Sequence, residues 1–332
     1  MRQTLWTCLL LLCLAPAMAR ERDWDSVTTW AYQLQNLNLP QVAASDFDLI
    51  VVDYSADGGH AERYTRAQVA GLQRAPGGGH RLVLAYLSIG EAEDYRYYWK
   101  AGFRPGKPPW LEGENPDWPG NYRVRYWDPA WRQILHGYLD HILAAGFDGV
   151  YLDLVDAYEF YEERGRPRAR DEMVALVLDL AGYARKRAGP DFGVFPQNAE
   201  GLLDRPEYLA AITGIGREEV FFGWEGLDGA PPPAAERRRI QGRLDRAVAA
   251  GKLVLAVDYT TSAWQAREAH RQALARGYRE YVGPRELDAL VAQPAVQASL
   301  PVAGVIRVLP WLALPALATP PGILLLAWTA LG

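Results

Sequence analysis

Short, continuous apolar runs alternate with amphipathic stretches along most of this chain. The runs lack the polar alternation of a half-exposed strand, so they are typical of strands buried on both faces, as in a parallel sheet. We predict eight such strands: Thr29–Leu34, Leu49–Val52, Leu82–Leu87, Gly149–Leu152, Phe192–Phe195, Ala211–Ile215, Leu253–Val257 and Tyr278–Val282.

Helical periodicity separates these strands. In Pro129–Ala145 apolar residues recur about every 3.6 residues. Asp128 precedes this segment as a helix N-cap, and Gly146 ends it. The same pattern predicts helices at Asp171–Arg187, Ala234–Ala250 and Ala263–Arg276.

The alternation predicts a single-domain α/β protein with the fold of a (β/α)8 TIM barrel, over residues 24–290. A doubly wound open sheet is the alternative. We find no Gly-rich nucleotide-binding turn after the first strand, where Gln35 and Asn36 stand instead. The longest insertion, Glu91–Trp127, follows the third strand, and we expect it to fold over one face of the barrel.

Both ends of the chain carry apolar segments outside this domain. The first has a charged start at Arg2, an apolar run at Leu5–Leu14 and a small-residue cleavage site ending at Ala19. This pattern predicts a signal peptide over residues 1–19 and therefore an exported protein. The second, residues 302–332, is long enough to span a membrane, although its prolines weaken a single helix. A C-terminal membrane anchor is one interpretation, beside a buried tail or an erratic gene end.

Composition excludes several classes of function. Both cysteines, Cys8 and Cys13, lie in the predicted signal peptide, so disulfides and thiolate chemistry are not expected after processing. The formal net charge of −5 argues against a nucleic-acid partner. The five histidines form no metal-binding motif. We therefore expect no catalytic metal, and we expect the protein to be a monomer.

Acidic and amide side chains follow most of the predicted strands, where a TIM barrel forms its active site. One acid at a strand end is more often a helix cap or a solvated loop residue. Convergence of several acids on one rim, in a chain with 12 Trp and 18 Tyr, is the chemistry of a glycosidase cleft. Glycoside hydrolysis needs one protonated and one ionised carboxyl group across the scissile bond. Asp153, after the fourth strand, and Glu218, after the sixth, are the natural pair.

Five segments have a specific order along the chain: YLSIGEAEDYRYYW from Tyr86, GFDGVYLDLVDAY from Gly146, FPQNAE from Phe195, GIGREEVFFG from Gly214 and LAVDYT from Leu255. They resemble motifs of glycoside hydrolase family 114, the endo-α-1,4-polygalactosaminidase-like proteins. The resemblance covers roughly Trp30 to Leu290. It implies an exported, cofactor-free TIM-barrel enzyme that cleaves α-linked, galactosamine-rich polysaccharide.

The resemblance also implies catalytic acids on strands four and six, and these match Asp153 and Glu218. An alignment shifted by one residue would select Glu219 instead of Glu218. Our hypothesis is that Asp153 is the nucleophile and Glu218 the acid/base. A non-catalytic carbohydrate-binding barrel of the same family is the alternative.

Ten further residues are predicted to bind the substrate, which would be a cationic polymer attracted to an acidic rim. Those expected to bind sugar hydroxyl or ammonium groups are Asp53, Glu91, Asp156 and Asp258. Those expected to stack on sugar faces are Tyr54, Tyr86, Tyr158 and Trp224. Gln197 and Asn198 are expected to bind substrate or to orient a carboxylate, and a core role is equally open for Tyr86.

Overall fold

The computed structural model describes residues 22–294. The predicted signal peptide and the apolar segment 302–332 therefore lie outside the described residues. Among the helices between residues 22 and 294, none is both long and apolar enough to cross a membrane. In the same range no three His, Cys, Asp or Glu side chains are grouped so that they could hold a metal ion.

Eleven strands and eight α-helices alternate through this range. The strands are β1 (Trp30–Tyr32), β2 (Leu49–Val52), β3 (Leu82–Ser88), β4 (Glu91–Glu93), β5 (Leu111–Glu114), β6 (Asn121–Val124), β7 (Gly149–Asp153), β8 (Gly193–Pro196), β9 (Gly214–Glu218), β10 (Leu253–Asp258) and β11 (Arg279–Val282). The helices are α1 (Leu39–Ala43), α2 (Arg66–Leu72), α3 (Pro129–Ala145), α4 (Ala157–Glu163), α5 (Ala169–Ala188), α6 (Pro206–Ala211), α7 (Ala234–Ala249) and α8 (Ala263–Arg276).

Eight of the strands are parallel and run in the order β1-β2-β3-β7-β8 and β9-β10-β11. The two groups meet where the Thr213 N–H donates to the Val194 carbonyl at 2.9 Å, between β8 and β9. They meet again where the Trp30 indole N–H donates to the Arg279 carbonyl at 2.9 Å, between β1 and β11. This arrangement confirms the predicted (β/α)8 barrel.

Helix caps explain why the predicted bounds of α3 match the structure. The Asp128 carboxylate accepts the Ala130 N–H at 2.8 Å and starts α3, and Gly146 ends it with a φ of 88°. The predicted sixth strand was wrong at its start, because the short helix α6 occupies Ala211 and β9 begins only at Gly214. The insertion after β3 folds as an antiparallel sheet in the order β4-β6-β5.

Aromatic rings fill the interior of the barrel. Tyr32 from β1 and Tyr151 from β7 have ring centroids 5.1 Å apart, although their strands are not neighbours. Trp30 also contacts Tyr281 from β11, at 5.9 Å. Gly216 leaves room for this cluster, since a Cβ there would lie 1.9 Å from the Tyr151 hydroxyl oxygen. The phenol groups form a packed floor beneath the carboxyl ends of the strands.

Asp258 lies under the loop after β9 and corrects one sequence prediction. It is completely buried, so it cannot bind a sugar as predicted. Its Oδ1 accepts the backbone N–H groups of Phe221 and Phe222 at 3.0 and 3.2 Å. Its neighbour is the buried carboxyl group of Glu280 on β11. Burial, followed by the charge of Asp258, raises the pKa of Glu280 well above its ordinary value. Asp258 is therefore a structural anchor for the loop that follows Glu218.

This carboxyl pair predicts that stability falls as the pH rises. Burial raises the pKa of Asp258 to about 7, so the folded protein holds protons that the unfolded chain releases above about pH 4. Glu280→Gln keeps a donor beside Asp258 but removes one titrating group. We expect its free energy of unfolding, from urea titration, to fall less than that of the unmodified protein between about pH 5 and about pH 8. The exposed variant Glu286→Gln is the control, and an equal fall in Glu280→Gln would contradict the assignment.

Candidate active site

Asp153 and Glu218 lie at the same mouth of the barrel. Asp153 is the last residue of β7 and Glu218 the last residue of β9. Both strands run parallel within the barrel, so their carboxyl ends open on the same face. The two groups lie close enough for the charge of Glu218 to act on the pKa of Asp153.

The Asp153 carboxyl group is held by two donors. The Tyr86 hydroxyl donates to Oδ2 at 2.7 Å, and the Leu154 N–H also faces the carboxyl group. Burial, followed by the negative charge of Glu218, raises the pKa of Asp153 to about 7 against the opposing effect of these donors. The backbone turn at Leu154, after β7, packs closely against Gly90. A Cβ at Gly90 would lie 2.1 Å from the Leu154 carbonyl oxygen.

Glu218 is fixed by three side-chain donors. Gln197 and Asn198 donate their amide N–H groups to Oε2 at 2.6 and 2.7 Å, and the Tyr259 hydroxyl donates to Oε1. The Asn198 carbonyl oxygen also accepts the Glu218 backbone N–H at 3.0 Å. Gln197 and Asn198 thus orient a carboxylate, which is one of the two roles predicted for them.

Glu219 is directed away from this carboxyl pair. Its backbone has a φ of 57°. Its Oε1 lies 2.8 Å from Nη1 of Arg285, and its Oε2 accepts the Glu225 N–H at 3.1 Å. The geometry therefore favours Glu218 over Glu219 as the acid at the mouth.

Asp156 starts α4 without capping it, since its side chain bonds no backbone N–H there. Burial, followed by the charges of Asp153 and Glu159, raises its pKa to about 8, and Arg217 opposes this rise. Trp224 is partly exposed in a 3₁₀ turn after β9. Both side chains are partly exposed, as contact with a substrate would require.

Burial corrects the predictions for two tyrosines. Tyr54 is 1% exposed and packs edge-on against Tyr138, with ring centroids 4.6 Å apart. Tyr158 is completely buried beneath Arg170, whose guanidinium lies 4.6 Å from the ring centre. Neither ring has a free face for a sugar. Tyr86 is also buried, and its hydroxyl acts on Asp153.

Asp53 and Glu91 are buried and bound to protein groups. The prediction that they bind sugar hydroxyl or ammonium groups is therefore corrected too. Arg96 donates to both oxygens of Asp53, at 2.9 and 2.7 Å. Glu91 accepts the Asn115 side-chain N–H at 2.9 Å. These acids support the rim instead of offering an open carboxylate to a ligand.

Sequence reasoning missed the buried ion cluster around Arg96. The Arg96 guanidinium bonds Asp53 and also Glu93, at 2.6 Å from Nε. It lies 6.0 Å from the centre of the Tyr86 ring, which in turn bonds Asp153. Arg96 lies within the YLSIGEAEDYRYYW motif, but its partner Asp53 comes from another strand end. The cluster fixes the wall beside Asp153.

The coupling between the two mouth carboxyl groups is testable without substrate. Burial and, after it, the charge of Glu218 raise the pKa of Asp153, so Glu218→Gln should lower that pKa. A ¹³C NMR titration of the Asp153 carboxyl carbon, assigned by its loss in Asp153→Asn, measures the shift. Glu207→Gln, an exposed change on α6, should leave the pKa unaltered. An unchanged or higher pKa in Glu218→Gln would show that the two groups do not interact.

Three curated relatives match most of the chain. An uncharacterized protein of Deinococcus radiodurans is 40% identical over 276 residues, covering 83% of this chain and 84% of that protein. One from Methanocaldococcus jannaschii is 38% identical over 277 residues, covering 79% and 77%. One from Thermotoga maritima is 37% identical over 247 residues, covering 73% and 74%.

Solved structures share the fold at lower identity. The glycoside hydrolase domain of PelA from Pseudomonas aeruginosa superposes with a TM-score of 0.61 at 20% identity, covering 80% of this chain and 98% of that one. Aspergillus fumigatus Ega3, solved in complex with galactosamine, gives 0.61 at 21% identity, covering 82% and 98%. The sequence profile of glycoside-hydrolase family GH114 matches residues 14–298. The chain therefore belongs to glycoside hydrolase family GH114.

Proposed function

We propose that this protein is an exported hydrolase of α-linked, galactosamine-rich polysaccharide, with Asp153 and Glu218 as its catalytic carboxyl groups. The observation that carries the proposal is the pair of carboxyl groups at the mouth of the barrel. Two carboxyl groups from separate strands interact there, and each is held by its own donors. This is the pair that acid-assisted glycosidic cleavage requires.

In the proposed reaction Asp153 attacks the anomeric carbon while Glu218 gives its proton to the departing glycosidic oxygen. The C–O bond to the leaving sugar breaks, and an ester forms between the sugar and Asp153. Glu218 then takes a proton from water, whose oxygen attacks the anomeric carbon and releases Asp153. Two displacements at one carbon give net retention of configuration.

The proposed order requires Asp153 to be ionised when it attacks. Burial, followed by the charge of Glu218, raises the pKa of Asp153 to about 7, so a fraction of the free protein keeps a proton on this carboxyl group near neutral pH. A cationic sugar beside Asp153 favours the ionised form of this carboxyl group.

The substrate class is supported by charge and by the family. A polymer rich in free amino groups is cationic, and Asp153, Asp156 and Glu218 gather three carboxyl groups at one mouth. Ega3, which shares the fold, was solved with galactosamine. Export is supported by the N-terminal signal pattern in the sequence.

We expect Asp153→Asn and Glu218→Gln each to lower hydrolysis by about 10²- to 10⁴-fold with the fold intact, because each removes one chemical role. The measurement is reducing-end release from a panel of polysaccharides that includes deacetylated galactosaminoglycan. Glu207→Gln is the matched surface control. Near-native turnover in either site variant would break the assignment, and binding without release by the unmodified protein would indicate a non-catalytic sugar-binding barrel.

Azide rescue distinguishes the two roles. With a substrate that carries a good leaving group, azide should replace the missing nucleophile in Asp153→Ala and give a glycosyl azide of inverted configuration. In Glu218→Ala it should attack the glycosyl–Asp153 ester and give an azide of retained configuration. The opposite assignment of configurations would exchange the two roles.

A further inference from the structure

Arg285 lies in the segment after β11, yet it contacts the surroundings of Glu218 in three ways. Its Nη1 is 2.8 Å from Oε1 of Glu219. Its Nη2 donates to the carbonyl of Gly223. Its guanidinium carbon lies 4.2 Å from the centre of the Tyr259 ring. One side chain thus joins the end of β9, the loop that follows it and the residue after β10.

Tyr259 connects Arg285 to the active site. The ring that Arg285 covers belongs to the phenol that donates to Oε1 of Glu218. Burial, followed by the Glu218 charge, raises the pKa of Tyr259 well above its ordinary value, so the hydroxyl stays a neutral donor. A cation on the ring face draws electron density from the phenol and strengthens the donated hydrogen bond.

The backbone is shaped for this close contact. Gly223 has a φ of 99°, a conformation that favours glycine. A Cβ at this position would lie 2.9 Å from Cβ of Tyr259 and 3.1 Å from Nη2 of Arg285. Any larger residue would push the loop away from both side chains.

We propose that Arg285 is a positioning residue for Glu218 that acts through Tyr259, an inference that rests on the hydrolytic function proposed above. It touches no reacting atom. Instead, it holds the Tyr259 hydroxyl on Oε1 of Glu218 and so fixes the orientation of that carboxyl group. The site therefore extends beyond the strands that carry its two acids, to the segment after the last barrel strand.

Other titratable and charged groups also lie near Glu218. They are Tyr32 from β1, Asp153 and Tyr151 from β7, Asp156 before α4, and Arg217 from β9. Glu219 is the further acid on the loop, and it pairs with Arg285. Replacing Arg285 therefore also removes the partner of Glu219, and a Tyr259→Phe background separates that effect from the loss of the contact with Tyr259.

Arg285→Met should loosen the hydrogen bond from Tyr259 to Glu218, because the cation that covers the Tyr259 ring is lost. We expect kcat to fall about tenfold with KM little changed, the scale of one cation–ring contact and one charged hydrogen bond. The hydrogen bond is followed by the ¹³C NMR shift of the Tyr259 ring carbon that bears the hydroxyl, and kcat and KM are measured by reducing-end release. In a Tyr259→Phe background, Arg285→Met should cause no further fall in kcat.

Controls separate positioning from folding. Arg267→Met changes an exposed arginine that lines the same cavity of about 730 Å³ as Arg285, and it should leave kcat and the Tyr259 resonance unaltered. Arg285→Lys keeps the cation and should recover part of kcat, which a purely structural role would not predict. An unchanged kcat in Arg285→Met, or an equal fall in the Tyr259→Phe background, would overturn the inference. If the unmodified protein cleaves no polysaccharide, the proposed function fails, while the Tyr259 resonance still tests the contact with Arg285.

Discussion

Repulsion between like charges is the constraint on which this site depends. Asp153 and Glu218 share a partly buried mouth, where two unscreened carboxylates would be costly. The chain therefore surrounds each group with donors from other strands. Tyr86 donates a hydrogen bond to Asp153. Glu218 accepts hydrogen bonds from Gln197, Asn198 and Tyr259. These donors fix the side chains, while burial and the charge of Glu218 raise the pKa of Asp153.

The backbone turns sharply where the strands deliver these side chains. Leu154, Asn198 and Glu219 have φ values of 56°, 57° and 57°, and each follows within two residues of the end of β7, β8 or β9. Such conformations cost about 1–3 kcal/mol for residues other than glycine and persist only where the surroundings enforce them. Here the turn after β7 directs the Leu154 N–H at Asp153, and the turn after β9 separates Glu218 from Glu219.

The barrel could be predicted from the sequence because its signals are local. Buried apolar runs define the strands, and caps such as Asp128 and Gly146 define α3. The acids at the mouth were also predictable as a set, since every parallel strand delivers its end to one face. Which partner each acid has in the folded protein was not predictable. Asp53 is paired by Arg96 from the insertion, and Asp258 by Glu280 from another strand, and these contacts exist only after folding.

The two sides of the mouth limit repulsion between their acids in different ways. Near the ends of β2 and β3, the buried Arg96 pairs with Asp53 and Glu93 among tyrosine rings. Beyond the end of β7, burial instead raises the pKa of Asp153 to about 7 and that of Asp156 to about 8, so these carboxyl groups retain protons near neutral pH. A positively charged group that enters beside them would favour their ionised forms and would gain two carboxylate partners.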